Sequence, residues 1–286
     1  MSAMQIQQAI NTACSSLGLE RRDAQLLLLH ALGKSLVDRA WLIAHDTDSL
    51  PAQTELRYIN LARQRAAGTP LPYLTGHVEF HGMPLQVDGR VLIPRPDTET
   101  LVDWALECVP SLGAPTGSVP QIIDLGTGSG AVALAIARFL VRTGQAGDVH
   151  ALDVSPDALA LAQANAERLN LPVQFMLGAW LTGIPARYDL IVSNPPYIAE
   201  GDPHLDALGH EPRLALTSGP DGLDAIRTIV GQAPDHLRPG GWLLLEHGWD
   251  QAMAVRDMLA QVGFTQVQSR CDLAGIERCS GGRWPV

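Results

Sequence analysis

Apolar residues recur at helical spacing through the first seventy residues and then collect into short unbroken runs, so two kinds of structure are predicted in one chain. The helical spacing covers Ile6 to Leu17, Ala24 to Leu32, Leu36 to Ile43 and Leu56 to Ala66. Gly18, Gly33 and Gly68 fall at the ends of these stretches, and Pro51 suits the first turn of the last one. Residues 1–70 read as a small helical bundle. It carries no titratable cluster of its own, which predicts a module that docks or positions a partner and not an active site.

Between Leu71 and Asp88 the pattern turns to proline, glycine and alternating residues, and residues 71–95 are predicted to form a β-hairpin linker. A helix is expected from Asp97 or Thr98, with Leu101, Val102, Ala105 and Leu106 on one face. Past a Gly/Pro/Ser-rich loop at 110–120, strands at Gln121 to Leu125, Asp148 to Val154, Val173 to Leu177, Tyr188 to Val192 and Trp242 to Glu246 are predicted. Helices at Ala131 to Val141, Ser155 to Leu169, 221–236 and 250–261 alternate with them, and strands near 264–270 and 276–280 close the chain. Residues 96–286 therefore read as an α/β domain on a doubly wound, mostly parallel sheet.

Composition fits a folded chain, with 46% apolar and 17% charged residues. There is no apolar run of transmembrane length, and Met1-Ser2-Ala3-Met4-Gln5 lacks the basic and apolar regions of a signal peptide. A soluble cytoplasmic protein with no membrane partner is the expectation. Cys14, Cys108, Cys271 and Cys279 form no C-x-x-C pair and lie near no His cluster, so they read as small buried hydrophobes and no metal site is expected. His247, after the apolar strand, reads as a packing or local hydrogen-bonding residue. Charge divides unevenly: residues 1–70 hold seven Lys/Arg against six Asp/Glu (+1), and residues 71–286 hold thirteen against twenty-four (−11). An acidic α/β domain is a poor surface for a polyanion, so nucleic acid is not expected as a direct partner.

The candidate chemistry lies at two loops. Asn194-Pro195-Pro196-Tyr197 follows the buried strand Tyr188 to Val192, and its prolines leave a stiff loop at the carboxyl end of the sheet, where open α/β folds bind ligands. An Asn side chain and a proline-segment carbonyl beside an aromatic ring can clamp a planar amine or amide; an ordinary proline turn is the simpler reading of the four residues alone. Upstream, Asp124-Leu125-Gly126-Thr127-Gly128-Ser129-Gly130 joins the first strand of the sheet to a helix, and Asp153 ends the next strand, where a carboxylate can hold ribose hydroxyls. Gly126, Gly128 and Ala131 also satisfy G-x-G-x-x-G/A, which keeps a nicotinamide enzyme open. The two aspartates together with the proline clamp favour S-adenosylmethionine, a ligand with a ribose and a cationic amino-acid tail but no pyrophosphate.

With these motifs, the sequence resembles the bacterial release-factor glutamine methyltransferases of the PrmC/HemK type. The resemblance runs over nearly the whole chain, through Pro72-Tyr73 before Gly76, Ile93-Pro94-Arg95-Pro96-Asp97-Thr98-Glu99, the glycine loop, Ser193 through Ile198, Glu211-Pro212 with Asp221-Gly222-Leu223, and Leu243-Leu244-Leu245-Glu246-His247-Gly248. It implies a Rossmann-like methyltransferase domain with a seven-stranded sheet and an antiparallel terminal strand. It also implies that Gly126, Thr127, Gly128, Ser129 and Gly130 cradle the methionine part of S-adenosylmethionine, that Asp153 holds the ribose and that Trp180 lies against the adenine. Asn194 would serve donor and substrate alike; Asn194, Pro195, Pro196 and Tyr197 would bind the substrate, with Asn194, Pro195 and Tyr197 carrying catalysis. The position before the tryptophan is often acidic in the family and here is Ala179, which bears on the adenine contacts.

The implied reaction is N5-methylation of the glutamine in the Gly-Gly-Gln motif of class I peptide-chain release factors, by an enzyme expected to act as a monomer. An amide nitrogen is a weak nucleophile that needs orientation more than a base, so no general base is expected, and Asp124, Glu99 and Glu246 read as supporting residues. A ribosomal-protein glutamine methyltransferase, a DNA adenine methyltransferase and a donor-binding scaffold without catalysis remain as alternatives.

Overall fold

The computed structural model describes residues 4–112 and 119–286, so the loop expected at 110–120 lies in part outside the described residues. Its contacts divide the chain into two compact units, Met1–His77 and Val78–Val286.

In the first unit the helical pattern becomes α1 (Ile6–Leu17), α2 (Arg21–Ala31), α3 (Arg39–Ala44), α4 (Ala52–Ala66) and the short α5 (Leu71–Thr75). Leu27, Leu28 and Leu29 are all buried, so α2 is the central helix, covered on more than one face by residues such as Ile6, Ile10 and Tyr58. Two expectations shift. Pro51 is the residue just before α4, and Leu71 to Thr75 is helical, with Pro72 in the first turn, where its missing N–H costs nothing. The hairpin is confined to β1 (His77–Phe80) and β2 (Met83–Gln86).

The second unit continues with α6 (Glu99–Cys108), β3 (Gln121–Leu125), α7 (Ala131–Thr143), β4 (Asp148–Asp153), α8 (Pro156–Leu169), β5 (Gln174–Leu177) and β6 (Tyr188–Ser193). It closes with α9 (Asp224–His236), β7 (Leu237–Glu246), α10 (Ala252–Val262), β8 (Thr265–Cys271) and β9 (Glu277–Arg283). The seven strands lie in the order β5-β4-β3-β6-β7-β9-β8; β3 to β7 are parallel, and β9 runs antiparallel to both β7 and β8.

Both faces of this sheet are covered, which is why its central strands read as continuous apolar runs. Ile122, Leu190, Val192 and Leu244 pack toward α6 and α7, whereas Ile123, Leu125, Ile191, Leu243 and Leu245 pack toward α9 and α10. That split is the two-residue alternation of a pleated strand.

The topology sets the site. From β3 the chain moves outward through β4 to β5 and then returns to place β6 on the other side of β3. The carboxyl ends of β3 and β6 are therefore neighbours at the switch point, with Leu125 paired to Ser193. The Ser193 hydroxyl donates to the Leu125 carbonyl at 2.7 Å and ties the two ends together. The glycine loop leaves one of them and the proline loop leaves the other.

Candidate active site

A cavity of about 470 Å³ opens at this switch point. Its wall includes Gly126 to Ser129 of the glycine loop, Asp124, Asp153, Trp180, Asn194 and Pro196. Pro195 and Tyr197 are not part of that wall.

On the β3 side the two carboxylates are tied into the glycine loop and its flanks. Asp124 is buried and accepts from the Thr127 hydroxyl at 2.6 Å and from the Ala133 N–H at 3.2 Å, which joins the strand end to the first turn of α7. Burial pushes its carboxyl up to about 7 against the pull of those two donors, with the charge of Asp153 adding to the rise. Asp153 accepts the Gly128 N–H at 2.8 Å through one oxygen and the Ser155 N–H at 2.9 Å through the other. The loop needs glycine most clearly at Gly130, whose φ is +86° and whose Cβ would lie 2.9 Å from Leu134 Cδ1. Trp180, at φ +52°, leans over Gly126; a Cβ there would meet the indole at 3.6 Å. A left-handed tryptophan is an outlier that marks a constrained turn. Ala179 is exposed beside it on the cavity wall.

On the β6 side polar capacity is left over. Asn194 donates its Nδ2 to the Thr98 hydroxyl at 3.1 Å, and its Oδ1 is buried without a hydrogen-bonding partner. Tyr197 turns its ring inward, so that its hydroxyl donates to Glu246 Oε1 at 3.2 Å. Burial and that neighbouring carboxylate hold the phenol protonated, well above its ordinary range. Glu246, 1% exposed at the end of β7, keeps Oε2 unpartnered. Burial pushes its carboxyl up to about 7, and the neighbouring Thr98 and Tyr197 hydroxyls pull the other way.

The proline loop is held from behind. The Gln251 side-chain amide donates to the Tyr197 carbonyl at 3.0 Å, and Gly222 (φ +77°) packs so close that a Cβ would lie 2.2 Å from that oxygen. Past the loop, Ile198 bonds to Leu216 and Ser218 through its backbone. A further carboxylate, Glu211, accepts the Ile93 N–H at 3.1 Å and pairs with Arg95, fixing the segment whose Leu92 and Pro94 line the cavity.

Of the residues that sequence reasoning singled out, Asn194, Pro196, Asp153, Trp180 and Gly126 to Ser129 reach the cavity wall, and Gly130, Pro195 and Tyr197 do not. Sequence reasoning missed Thr98 as the partner of Asn194, because a lone threonine at a helix start carries no chemical signal. It also missed the Leu214, Ala215, Thr217 and Thr228 side of the wall, which comes from segments without a motif. Among the described residues no His/Cys/Asp/Glu group has metal-binding geometry, and no helix is long and apolar enough to cross a membrane.

The fold and the switch-point cavity define a Rossmann-like methyltransferase. Residues 108–211 match the methyltransferase small domain, and residues 6–76 match the PrmC N-terminal domain. A methyltransferase structure from Pyrococcus furiosus shares the fold at a TM-score of 0.52 and 20% identity, covering 72% of this chain and 90% of its own. A release factor glutamine methyltransferase of Bordetella pertussis is 50% identical over 269 residues, which is 93% of this chain and 95% of its own. One from Burkholderia pseudomallei is 46% identical over 277 residues, 93% of either chain. The chain belongs to the release factor glutamine methyltransferase family. That membership displaces the nicotinamide reading of the glycine loop.

Proposed function

We propose that this protein transfers a methyl group from S-adenosylmethionine to the side-chain amide nitrogen of the glutamine in the Gly-Gly-Gln motif of class I peptide-chain release factors. The observation that carries the reading is the buried, unpartnered Asn194 Oδ1 at the cavity, an acceptor whose burial costs about 1–3 kcal/mol until a donor meets it. An amide N–H is such a donor. The names of the relatives support the choice of substrate.

The residues present fit the methyl donor. Gly128, at φ +55°, has open space where a side chain would stand, so backbone can approach a ligand there. Asp124 and Asp153 suit a cationic ligand with hydroxyl groups, each Asp153 oxygen retaining a second lone pair. Trp180 offers a ring face at the wall for adenine, beside Ala179, which carries no acidic group. When bound, S-adenosylmethionine supplies a methyl carbon made electrophilic by a positively charged sulfur.

Asn194 Oδ1 and the Pro195 carbonyl accept the two N–H groups of the glutamine amide, and Tyr197 and Pro196 restrict its plane. As positive charge grows on the amide nitrogen, these fixed oxygen dipoles stabilise it more than they stabilise the resting substrate. The methylated nitrogen then loses its proton to water, so no general base is assigned. The helical unit, residues 1–70 with α5, gives the release factor a second set of contacts that orients it. The enzyme works as a monomer in the cytoplasm and takes protein, not nucleic acid, as its acceptor.

Incubating the protein with methyl-labelled donor and, separately, a class I release factor, ribosomal proteins and duplex DNA tests this reading. Label is expected in the release factor. Label confined to ribosomal proteins or DNA would overturn it.

A further inference from the structure

One side chain outside the cavity is bonded to the glycine loop from below. Asn165, on α8, is fully buried. Its Oδ1 accepts the Gln86 N–H at 2.8 Å, and its Nδ2 donates to the Gln86 carbonyl and to the Ser129 carbonyl, each at 3.0 Å. The two ends of an asparagine amide have nearly the same shape, but these partners decide the orientation: an N–H needs the oxygen, and two carbonyls need the two hydrogens of the NH2. Asn165 therefore joins two backbone segments 43 residues apart in number, Gln86 and Ser129, through one rigid amide.

Both segments lead to the cavity wall. Ser129 stands in it, and Gln86 ends β2, from which the chain runs on to Arg90, Val91 and Leu92 in the same wall. Helix α8 also lies close against the loop, since a Cβ on Gly130 would come within 3.3 Å of Ala162 Cβ. Gly126, Gly128 and Gly130 all have positive φ, and glycine backbone gives up the most freedom when it is ordered. A buried hydrogen bond from a packed helix orders that backbone before any ligand arrives.

We propose that Asn165 is a positioning residue for the methyl donor, acting through the Ser129 carbonyl to hold the glycine loop in its binding shape. Asn165 does not line the cavity and so acts only through the loop. Its contribution is preorganisation: the loop is ordered in folding, and donor binding does not have to supply that ordering. The role rests on the reading of the glycine loop as the donor's cradle and is independent of which acceptor is methylated.

Asn165→Ala removes all three bonds, and Asn165→Leu removes them while keeping the volume. Each is expected to raise the Kd for S-adenosylmethionine about tenfold, measured by calorimetry without acceptor and well below the unfolding temperature. At saturating donor, kcat stays within about twofold of wild type, because an occupied loop is held by its ligand. Arg168→Ala is the control. Arg168 donates to the Pro84 carbonyl and, at 3.3 Å, to Asn165 Oδ1, so its loss loosens the same hairpin without touching Ser129. Its donor Kd should match wild type. An unchanged Kd in either folded Asn165 variant, an equal rise in Arg168→Ala, or a loss in kcat as large as the change in Kd overturns the proposal. The wild type alone supplies a second test. Without donor, its Gly128 and Gly130 amides are expected to exchange hydrogen at least about 100-fold more slowly than an unfolded chain, and exchange at the unfolded rate also overturns the proposal. A wild-type protein that binds the donor but leaves a release factor unlabelled would count against the acceptor assignment alone.

Discussion

The two halves of the cavity treat their polar atoms in opposite ways. On the glycine-loop side, Asp124 Oδ2 accepts from Thr127 and Ala133 and the two Asp153 oxygens accept from Gly128 and Ser155, so these bonds go into holding the loop's shape. On the proline-loop side lie Asn194 Oδ1 and Glu246 Oε2, two of the three buried side-chain oxygens without a partner among the described residues; the third, the Tyr58 hydroxyl, belongs to the helical unit. Such atoms cost folding free energy, and they persist where a ligand completes them. A rigid donor cradle facing an acceptor clamp with unmet capacity suits a reaction in which one substrate must be held still and the other must be oriented.

The comparison breaks most readily at Asn194. Asn194→Ala is expected to lower kcat for methyl transfer by about 10²–10³-fold, the scale of removing one preorganised polar group from a reacting centre, while donor Kd measured by calorimetry changes only a few-fold. Equal losses in donor binding and in kcat would mean that Asn194 belongs to the donor side.

Next in size is Gly222→Ala. Its methyl would meet the Tyr197 carbonyl at 2.2 Å, and relief of that clash must shift the proline loop. A displacement near 1 Å predicts a loss of about 10²-fold in kcat, read in steady-state assays, with little change at the donor cradle.

Glu211→Ala should act on stability. It strips the Ile93 N–H of its acceptor and Arg95 of its partner, at about 1–3 kcal/mol, seen as a fall of several degrees in the thermal unfolding of the protein.

The smallest effect sharpens the donor side. Asp124 is held up to about 7, and a cationic ligand favours its ionised form, so donor affinity should rise with pH through about 7 and level off above. Asp124→Asn should flatten that profile and weaken binding by about tenfold at alkaline pH, roughly one pKa unit of interaction. In folding the sign reverses. Between its ordinary value of 3.8 and about 7 the folded protein keeps a proton that the unfolded chain releases, so the contribution of Asp124 to stability is greatest at low pH and is lost as pH rises. Asp124→Asn should therefore unfold at a higher temperature than wild type at pH 8.

Much of the fold was legible because its strongest signals are local. The run Gln121 to Leu125 closes on a glycine loop and α1 on Gly18, so burial pattern and chain-breaking residues agree. Helix α5 was not legible, since five residues beginning Leu71-Pro72 are too few to display a period. The loops of the site could be read from their motifs, but not the way they are held. Asn194 meets Thr98 across 96 residues and Tyr197 meets Glu246 across 49, and pairings at that distance are decided by sheet order. Tyr197 shows the difference: the motif marks a ring at the loop, but nothing local announces that its hydroxyl bonds Glu246.

The most direct test is mass spectrometry of the Gly-Gly-Gln peptide from a class I release factor after reaction with the enzyme and S-adenosylmethionine. One added methyl on the glutamine side chain, absent when Asn194→Ala replaces the wild type, is the predicted result. An unmodified glutamine, or a methyl on another residue of the peptide, would contradict the assignment of the clamp.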